Sequence, residues 1–539
     1  MDRDINIFGL TNFRNQQTQF GIRRDDRRRH FYIIGQTGTG KTTLMENMVK
    51  TDITNGEGLA IIDPHGEFAD KMLNYIPPSR INDVVYINPA DLNWPVAFNV
   101  IEDVPPEIRY LIASGLMGVF KKTWPDVWSS RMEYILNNTL MALLEYPGST
   151  LLGINRMLSD SAYRQEVIKH INDPIIKAFW TVEFAKYNER YASEAIAPIQ
   201  NKAGQFTSNP LIRNIIGQKE SKIDMRAIMD EGKILIVNLS KGLIGEDNSA
   251  LLGALIITKL QQAAMSRVDI PENERKDFYL YVDEFQSFST ESFASILSEA
   301  RKYRLNLILA HQYITQLNEV VRDAVFGNVG TLAVYRIFSE DAEFLEQEFA
   351  PNFTAQDLVS MPNYNFCLRL MIDGFPSKPF TAMNIPPIAP ETTSSRDEII
   401  DLCRQKFSRS AEEVKLEIGH WAALDFGPTP EKNSGKKIDF YPATCNLCHQ
   451  QTEVPFKPDN QRPVYCKACL EKIKSGEVIP PTLVPRVDSE MKKPKSNLPK
   501  NKPNKTTLVN EEALSSAISQ ALNKTLGKKD VEEDQNINP

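Results

Sequence analysis

The sequence predicts an α/β fold, a parallel sheet covered on both faces and split by an all-α insertion, and three observations lead to it. Apolar runs recur at 31–34, 58–63, 83–88, 233–238, 278–282 and 306–310. Runs of this length, parted by helical segments, mark strands buried on both faces. Directly after the first run stands Gly35-Gln36-Thr37-Gly38-Thr39-Gly40-Lys41-Thr42, which leads into Thr43-Leu44-Met45. Strand, glycine-rich turn and helix, at this Gly-to-Gly-Lys-Thr spacing, form the phosphate-cradling P-loop. Between 104 and 224 the strand pattern gives way to helical spacing, as in Met132, Ile135, Leu136, Leu140 and Leu143 behind a capping Ser129 or Ser130.

The first element is a short hairpin, expected from Gly9-Leu10-Thr11-Asn12 and Phe20-Gly21-Ile22. The charged run Arg23-Arg24-Asp25-Asp26-Arg27-Arg28-Arg29-His30 follows and reads as a solvated edge, with contact to DNA or to a neighbouring subunit as the alternative. In the P-loop, glycines let the backbone wrap a triphosphate, so that amide N–H groups and a helix N-terminus face its charge. Lys41 then sits on the β and γ phosphates, and the Thr42 hydroxyl is a ligand for Mg²⁺. ATP is therefore held by Gly35, Gly38, Thr39, Gly40, Lys41, Thr42 and Thr43.

The second core strand ends in Asp63-Pro64-His65-Gly66-Glu67, where ligands of parallel sheets bind. His65 reads as a core or loop histidine rather than a catalytic one. In the insertion, Trp180, Tyr187, Arg190, Lys202 and Arg213 read as ordinary surface residues of a helical domain, with nucleic-acid contact the alternative. The strand at 278–282 closes in Asp283-Glu284, the acidic pair a P-loop requires. Asp283 suits Mg²⁺, held through water, and Glu284 suits proton acceptance from the attacking water. Gln312, in His311-Gln312 after the next strand, suits a γ-phosphate sensor. Arg301 lies on a helix expected to begin near Glu291 and is either a surface arginine or an arginine finger for a neighbour's nucleotide.

Composition sets outer bounds. The 539 residues are 42% hydrophobic and 24% charged, with a formal net charge of −7. That balance excludes a protein basic over its whole surface, while leaving room for a local basic channel. The opening Met-Asp-Arg-Asp-Ile-Asn has no signal pattern, and the longest apolar run, 250–257, falls short of the roughly 20 residues of a spanning helix. No transmembrane segment is expected, and the chain reads as cytoplasmic, at most peripheral to a membrane through partners.

Taken together, the P-loop, Asp63-Pro64-His65-Gly66-Glu67, Val282-Asp283-Glu284-Phe285, and Glu299-Ala300-Arg301-Lys302 running into Ala310-His311-Gln312 resemble the FtsK/HerA superfamily of DNA-pumping ATPases. The helical insertion most resembles type IV secretion coupling proteins of the TraG/TraD class. This likeness spans roughly residues 10 to 385. It implies a RecA-like core, Lys41 and Thr42 on nucleotide and Mg²⁺, Glu284 in catalysis, Gln312 as sensor and Arg301 acting in trans. It further implies a homo-hexameric ring around DNA and a role in conjugative DNA transfer. Coupling proteins of that class usually carry N-terminal transmembrane helices, which this sequence does not show. HerA-like soluble translocases, and a nucleotide-dependent adaptor recruiting protein to a secretion or pilus machine, stand as alternatives.

Beyond the prolines at 376–390, residues 391–437 read as a helical linker. Cys445-Asn446-Leu447-Cys448 and Cys466-Lys467-Ala468-Cys469 are paired CxxC units at zinc-ribbon spacing, and four thiolates around Zn²⁺ make a closed structural site. Lys457, Arg462, Lys467 and Lys472, with Tyr441, Phe456 and Tyr465, permit nucleic-acid binding there. The expected domains are 1–103 and 225–390 for the ATPase core, 104–224 for the insertion, 438–478 for the ribbon and 479–539 for a disordered basic tail. That tail holds a short amphipathic helix around Leu514, Ala517, Ile518, Ala521 and Leu522.

Overall fold

The computed structural model describes residues 4–12, 16–102, 104–291, 293–387, 394–423, 441–454, 457–458 and 463–474. The expected tail, with the amphipathic helix expected in it, lies outside the described residues. The chain forms two compact units, 1–430 and 431–539.

The first unit is built on β1 (Ile5–Thr11), β2 (Gln19–Arg23), β3 (Phe31–Ile34), β4 (Gly58–Asp63), β5 (Val84–Ile87), β6 (Ile234–Asn238), β7 (Phe278–Val282), β8 (Leu305–His311), β9 (Thr331–Val334), β10 (Asn365–Arg369), β11 (Met371–Ile372), β12 (Phe375–Pro376) and β13 (Phe380–Asn384). Eleven of these form one sheet in the order β2-β1-β13-β10-β9-β3-β8-β7-β4-β6-β5. From β9 to β5 every pairing is parallel. The remaining strands add on antiparallel, including the expected β1–β2 hairpin. The apolar runs thus became the central parallel strands, each buried on both faces. The antiparallel extension gave no comparable signal, because its strands alternate or are half-buried.

Because β3, β8 and β7 run parallel, their carboxyl ends lie at one edge of the sheet. The P-loop, Gln312 and Asp283-Glu284 are therefore brought together there. Between 104 and 224 the described residues form a series of helices joined by short turns, with no strand among them. Helix Arg109–Thr123 of this insertion packs closely on helix Glu246–Ser266 of the core. At the crossing, a Cβ added to Gly115 would stand 2.8 Å from Thr258 Cγ2, so only glycine allows that approach.

Three expectations need correction. The run Arg23–His30 is not simply a solvated edge. Arg27 is 4% exposed and forms a bidentate pair with the buried Asp52 at 2.7 and 2.9 Å, while Tyr281 donates to the same carboxylate at 2.5 Å. His30 is buried as well, accepting from the Leu307 amide at 3.1 Å. Trp180 is a core residue of the insertion, 2% exposed, and donates from its indole to the Asn138 carbonyl at 3.3 Å. Helices Arg396–Phe407 and Ala411–Ala423 do not simply lead onward. Cys403, on the first, is buried against β5, where its thiol donates to the Val84 carbonyl and accepts from the Tyr86 amide.

In the second unit, β14 (Tyr441–Thr444) and β15 (Gln451–Val454) form an antiparallel hairpin, and helix Lys467–Lys474 carries Cys469.

Candidate functional site

Lys41 opens helix Lys41–Asn55, whose N-cap is Gly40 in the left-handed region at φ 117° and carries no side-chain cap. The first-turn amides consequently lack intrahelical acceptors and face outward, which is the arrangement an anionic ligand needs. Gly40 is held from behind: Asn384 donates to its carbonyl at 2.8 Å, Tyr335 donates to Asn384 at 2.5 Å, and the Tyr364 amide donates to the Thr39 carbonyl at 2.8 Å. A Cβ on Gly40 would meet Asn384 Nδ2 at 2.5 Å. Gly35 begins the loop, its amide donating to the His311 carbonyl at the end of β8.

The loop lines a cleft of about 560 Å³ with Asp63, His65, Asp283, Glu284, Gln312 and Tyr364. Lys41 is buried and its ammonium donates to the Gly35 and Gln36 carbonyls at 2.7 and 3.2 Å. Burial lowers its pKa, against the opposing pull of Glu284 and Asp283. Thr42 and Thr43 are half-buried in the same wall, whereas the Thr39 hydroxyl turns inward to the Gln36 carbonyl at 2.7 Å. Thr39 thus shapes the loop instead of presenting its hydroxyl to a ligand.

Asp283 and Glu284 follow β7 directly. Burial, then the charges of Glu284 and Asp63, push the Asp283 carboxyl up to about 7. Asp63, Asp283 and Glu284 line the same cleft as Lys41, an acidic wall at which Asp283 suits a divalent cation completed by nucleotide oxygens and water. Glu284 adopts φ 46°, unusual for a non-glycine residue, and is 7% exposed. Its two oxygens are held separately: Gln312 donates to Oε1 and Gln286 to Oε2, each at 2.6 Å. The expected base and sensor are thus directly bonded.

Asp63 also caps its own turn, accepting from the His65 and Ala69 amides at 2.8 and 2.9 Å. His65 is exposed and lines the cleft. His311 is buried, hydrogen-bonded through Nδ1 to Tyr32 at 2.8 Å; burial, then Lys41, lower its pKa to about 3. It stays neutral near pH 7.

Arg301 is not at this cleft. It lies in the 3₁₀ turn Ala300–Tyr303, exposed and without a side-chain hydrogen bond or ion pair among the described residues. That turn precedes β8, whereas Gln312 follows it, so the seven residues of β8 separate Arg301 from the site by roughly 20 Å. Arg336, Tyr335, Tyr364 and Asn384 are supports the sequence reading missed. Arg336, beyond β9, touches Gln36 through both its carbonyl, at 2.8 Å, and its guanidinium, at 3.4 Å. Only strand order brings β9, β10 and β13 to the P-loop, and no local motif announces it.

In the second unit the sulfurs of Cys445, Cys448, Cys466 and Cys469 all lie within 4.8 Å of one another. Cys448 and Cys466 are 3.7 Å apart, close to the edge of roughly 3.8 Å that a tetrahedron with Zn–S bonds of about 2.3 Å has. The donor set fits zinc. His449 is exposed at φ 58°, its amide donating to the Cys445 carbonyl, so it shapes the first knuckle. Lys457, Lys467 and Lys472 are exposed around the site, while Phe456 and Arg462 lie outside the described residues.

Among the described residues no helix is long and apolar enough to cross a membrane. Comparison with known proteins matches residues 439–474 to a probable treble clef zinc finger, supporting the C-terminal four-cysteine zinc site. The type 4 coupling protein DotL of Legionella pneumophila is 21% identical over 371 residues, which is 58% of this chain and 47% of DotL. The chain therefore spans about half the length of that curated relative. Solved structures of the bacterial conjugative coupling protein TrwBdeltaN70, unbound, and of the plasmid coupling protein TrwB with ADP and Mg²⁺ each superpose with a TM-score of 0.50 at 14% identity. Each covers 69% of this chain and 89% of the other, and supports a RecA-like core. Residues 18–341 match the model of the type IV secretion-system coupling protein DNA-binding domain, and the chain belongs to that family.

Proposed function

We propose that this protein is an ATP-driven motor of the coupling-protein type, hydrolysing ATP at the P-loop cleft to move DNA, with conjugative DNA transfer as its setting. One observation carries the reading: Glu284 is held by Gln312 and Gln286 in the cleft that Lys41, Thr42 and Asp283 also line. TrwB, of the same fold, has been solved with ADP and Mg²⁺. In that role the Gly35–Thr43 backbone and Lys41 receive the phosphates, and Lys41 exchanges its loop carbonyls for phosphate oxygens. Thr42 and Asp283 hold Mg²⁺, which neutralises charge on the nucleotide. Glu284 accepts a proton from the attacking water, and Gln312, bonded to it, registers the γ-phosphate position.

Arg301 supports a ring. An exposed arginine at the strand edge opposite the P-loop cannot serve its own nucleotide, but head-to-tail packing of copies brings unlike surfaces together. In the resulting homo-hexamer Arg301 acts on the neighbour's ATP. The zinc finger is a compact unit of its own, which favours a recruiting role for it, toward DNA or a secretion-machine protein.

The test is ATP turnover by the full chain with and without duplex and single-stranded DNA, beside Lys41→Ala. DNA-stimulated turnover that disappears in the variant supports the motor. Turnover indifferent to DNA but raised by a secretion-machine protein supports a nucleotide-dependent adaptor instead.

A further inference from the structure

The loop that carries Glu284 is gripped from the insertion. Lys122 stands in the last turn of helix Arg109–Thr123, and its ammonium donates to the Gln286 and Ser289 carbonyls at 2.5 and 2.6 Å. The Gln286 side chain in turn donates to Glu284 Oε2. We propose that Lys122 is a positioning residue for Glu284, clamping the catalytic loop to the helical insertion so that movement of the insertion sets the rate of hydrolysis. This rests on the reading of Glu284 as the proton acceptor.

The clamp is built at both ends. Lys121 pairs with Glu291 at 3.2 Å, farther along the same loop, and Lys241 of the core donates to Ser287 at 3.0 Å. On the insertion side, Phe120 stacks on Trp124 with centroids 4.6 Å apart, and Trp124 stacks on Phe206 at 5.4 Å. A displacement of that aromatic stack therefore moves Lys122. Among the described residues Lys122 meets two carbonyls and no carboxylate within bonding distance, so its ammonium gives up much of its water for the loop alone, a costly arrangement unless the loop must be fixed. Glu284 in its left-handed conformation needs such outside support. Beside the clamp lies a cavity of about 400 Å³ lined by Gly118, Pro125, Trp128, Gln286, Thr290 and Gln316, into which a released loop can shift.

The experiment compares Lys122→Gln, Lys122→Arg, Gln286→Ala, the Lys122→Gln/Gln286→Ala pair and Glu284→Gln in the full chain. Steady-state ATP turnover is read together with affinity for a fluorescent ATP analogue. Lys122→Gln should lower kcat about tenfold or more with KM and analogue affinity within about twofold. Lys122→Arg should recover most of the loss, and the paired variant should be no slower than the slower single one, because both act on one carboxylate. Wild-type kcat in Lys122→Gln, additive losses in the pair, or loss of analogue affinity in step with kcat would each overturn the proposal. Full turnover in Glu284→Gln would instead refute the assignment of Glu284 itself.

Discussion

Asp283 makes the unliganded protein's stability depend on pH in a direction that can be worked out. Its carboxyl, driven to about 7 by burial and then by Glu284 and Asp63, titrates near 3.9 when unfolded. The folded state therefore binds this proton more tightly, so the contribution is fully present below about pH 4 and is lost as pH rises through about 7. With those two values, an amount on the order of 2–3 kcal/mol should disappear between pH 5 and pH 8. Asp283→Asn cannot titrate but keeps an oxygen to accept from the Glu284 amide, now 3.0 Å from Asp283 Oδ1. Urea unfolding of unliganded wild type and variant in EDTA, at intervals from pH 5 to pH 8, isolates the effect. The variant should gain on the order of 2–3 kcal/mol relative to wild type across that range, while losing the Mg²⁺-dependence of nucleotide binding. A stability difference that stays constant to within about 0.5 kcal/mol would refute the electrostatic argument.

Other parts of the structure give equally definite outcomes. Asp52→Ala leaves the Arg27 guanidinium buried without its bidentate partner, and should cost about 3–5 kcal/mol in chemical denaturation. Gly40→Ala places a Cβ 2.5 Å from Asn384 Nδ2 at φ 117°; strain of about 1–3 kcal/mol should weaken ATP binding by about five- to 150-fold, read by nucleotide titration. Replacing Cys445 and Cys466 together by serine should abolish stoichiometric zinc, measured by metal analysis, with ATP affinity unchanged, since the site and the cleft belong to separate compact units.

What the sequence made legible followed local rules. The P-loop and Asp283-Glu284 are contiguous, and the parallel strands announce themselves by burial on both faces, so the cleft's principal residues were readable. The cysteine spacing likewise carried its metal chemistry. What stayed hidden depends on partners remote in sequence. Arg27 meets Asp52 and Tyr281, 25 and 254 residues away, which converts an apparent surface charge run into an interior network. Asn384 reaches Gly40 across 344 residues because β13 joins the sheet beside β10, and Lys122 reaches the Glu284 loop only through helix packing. Trp180 shows the same limit: an aromatic on a helix has no visible side until its neighbours are placed.

The proposed motor stands or falls with Glu284, which, held between Gln312 and Gln286, is proposed to activate the water that hydrolyses ATP in response to DNA. The most direct measurement is the steady-state ATP turnover of the 539-residue chain with saturating DNA, for wild type and Glu284→Gln in parallel. Wild type should show DNA-stimulated turnover and the variant a loss of about 100-fold or more, with ATP binding retained. Turnover in Glu284→Gln equal to wild type, or a wild-type rate untouched by any DNA, would contradict it.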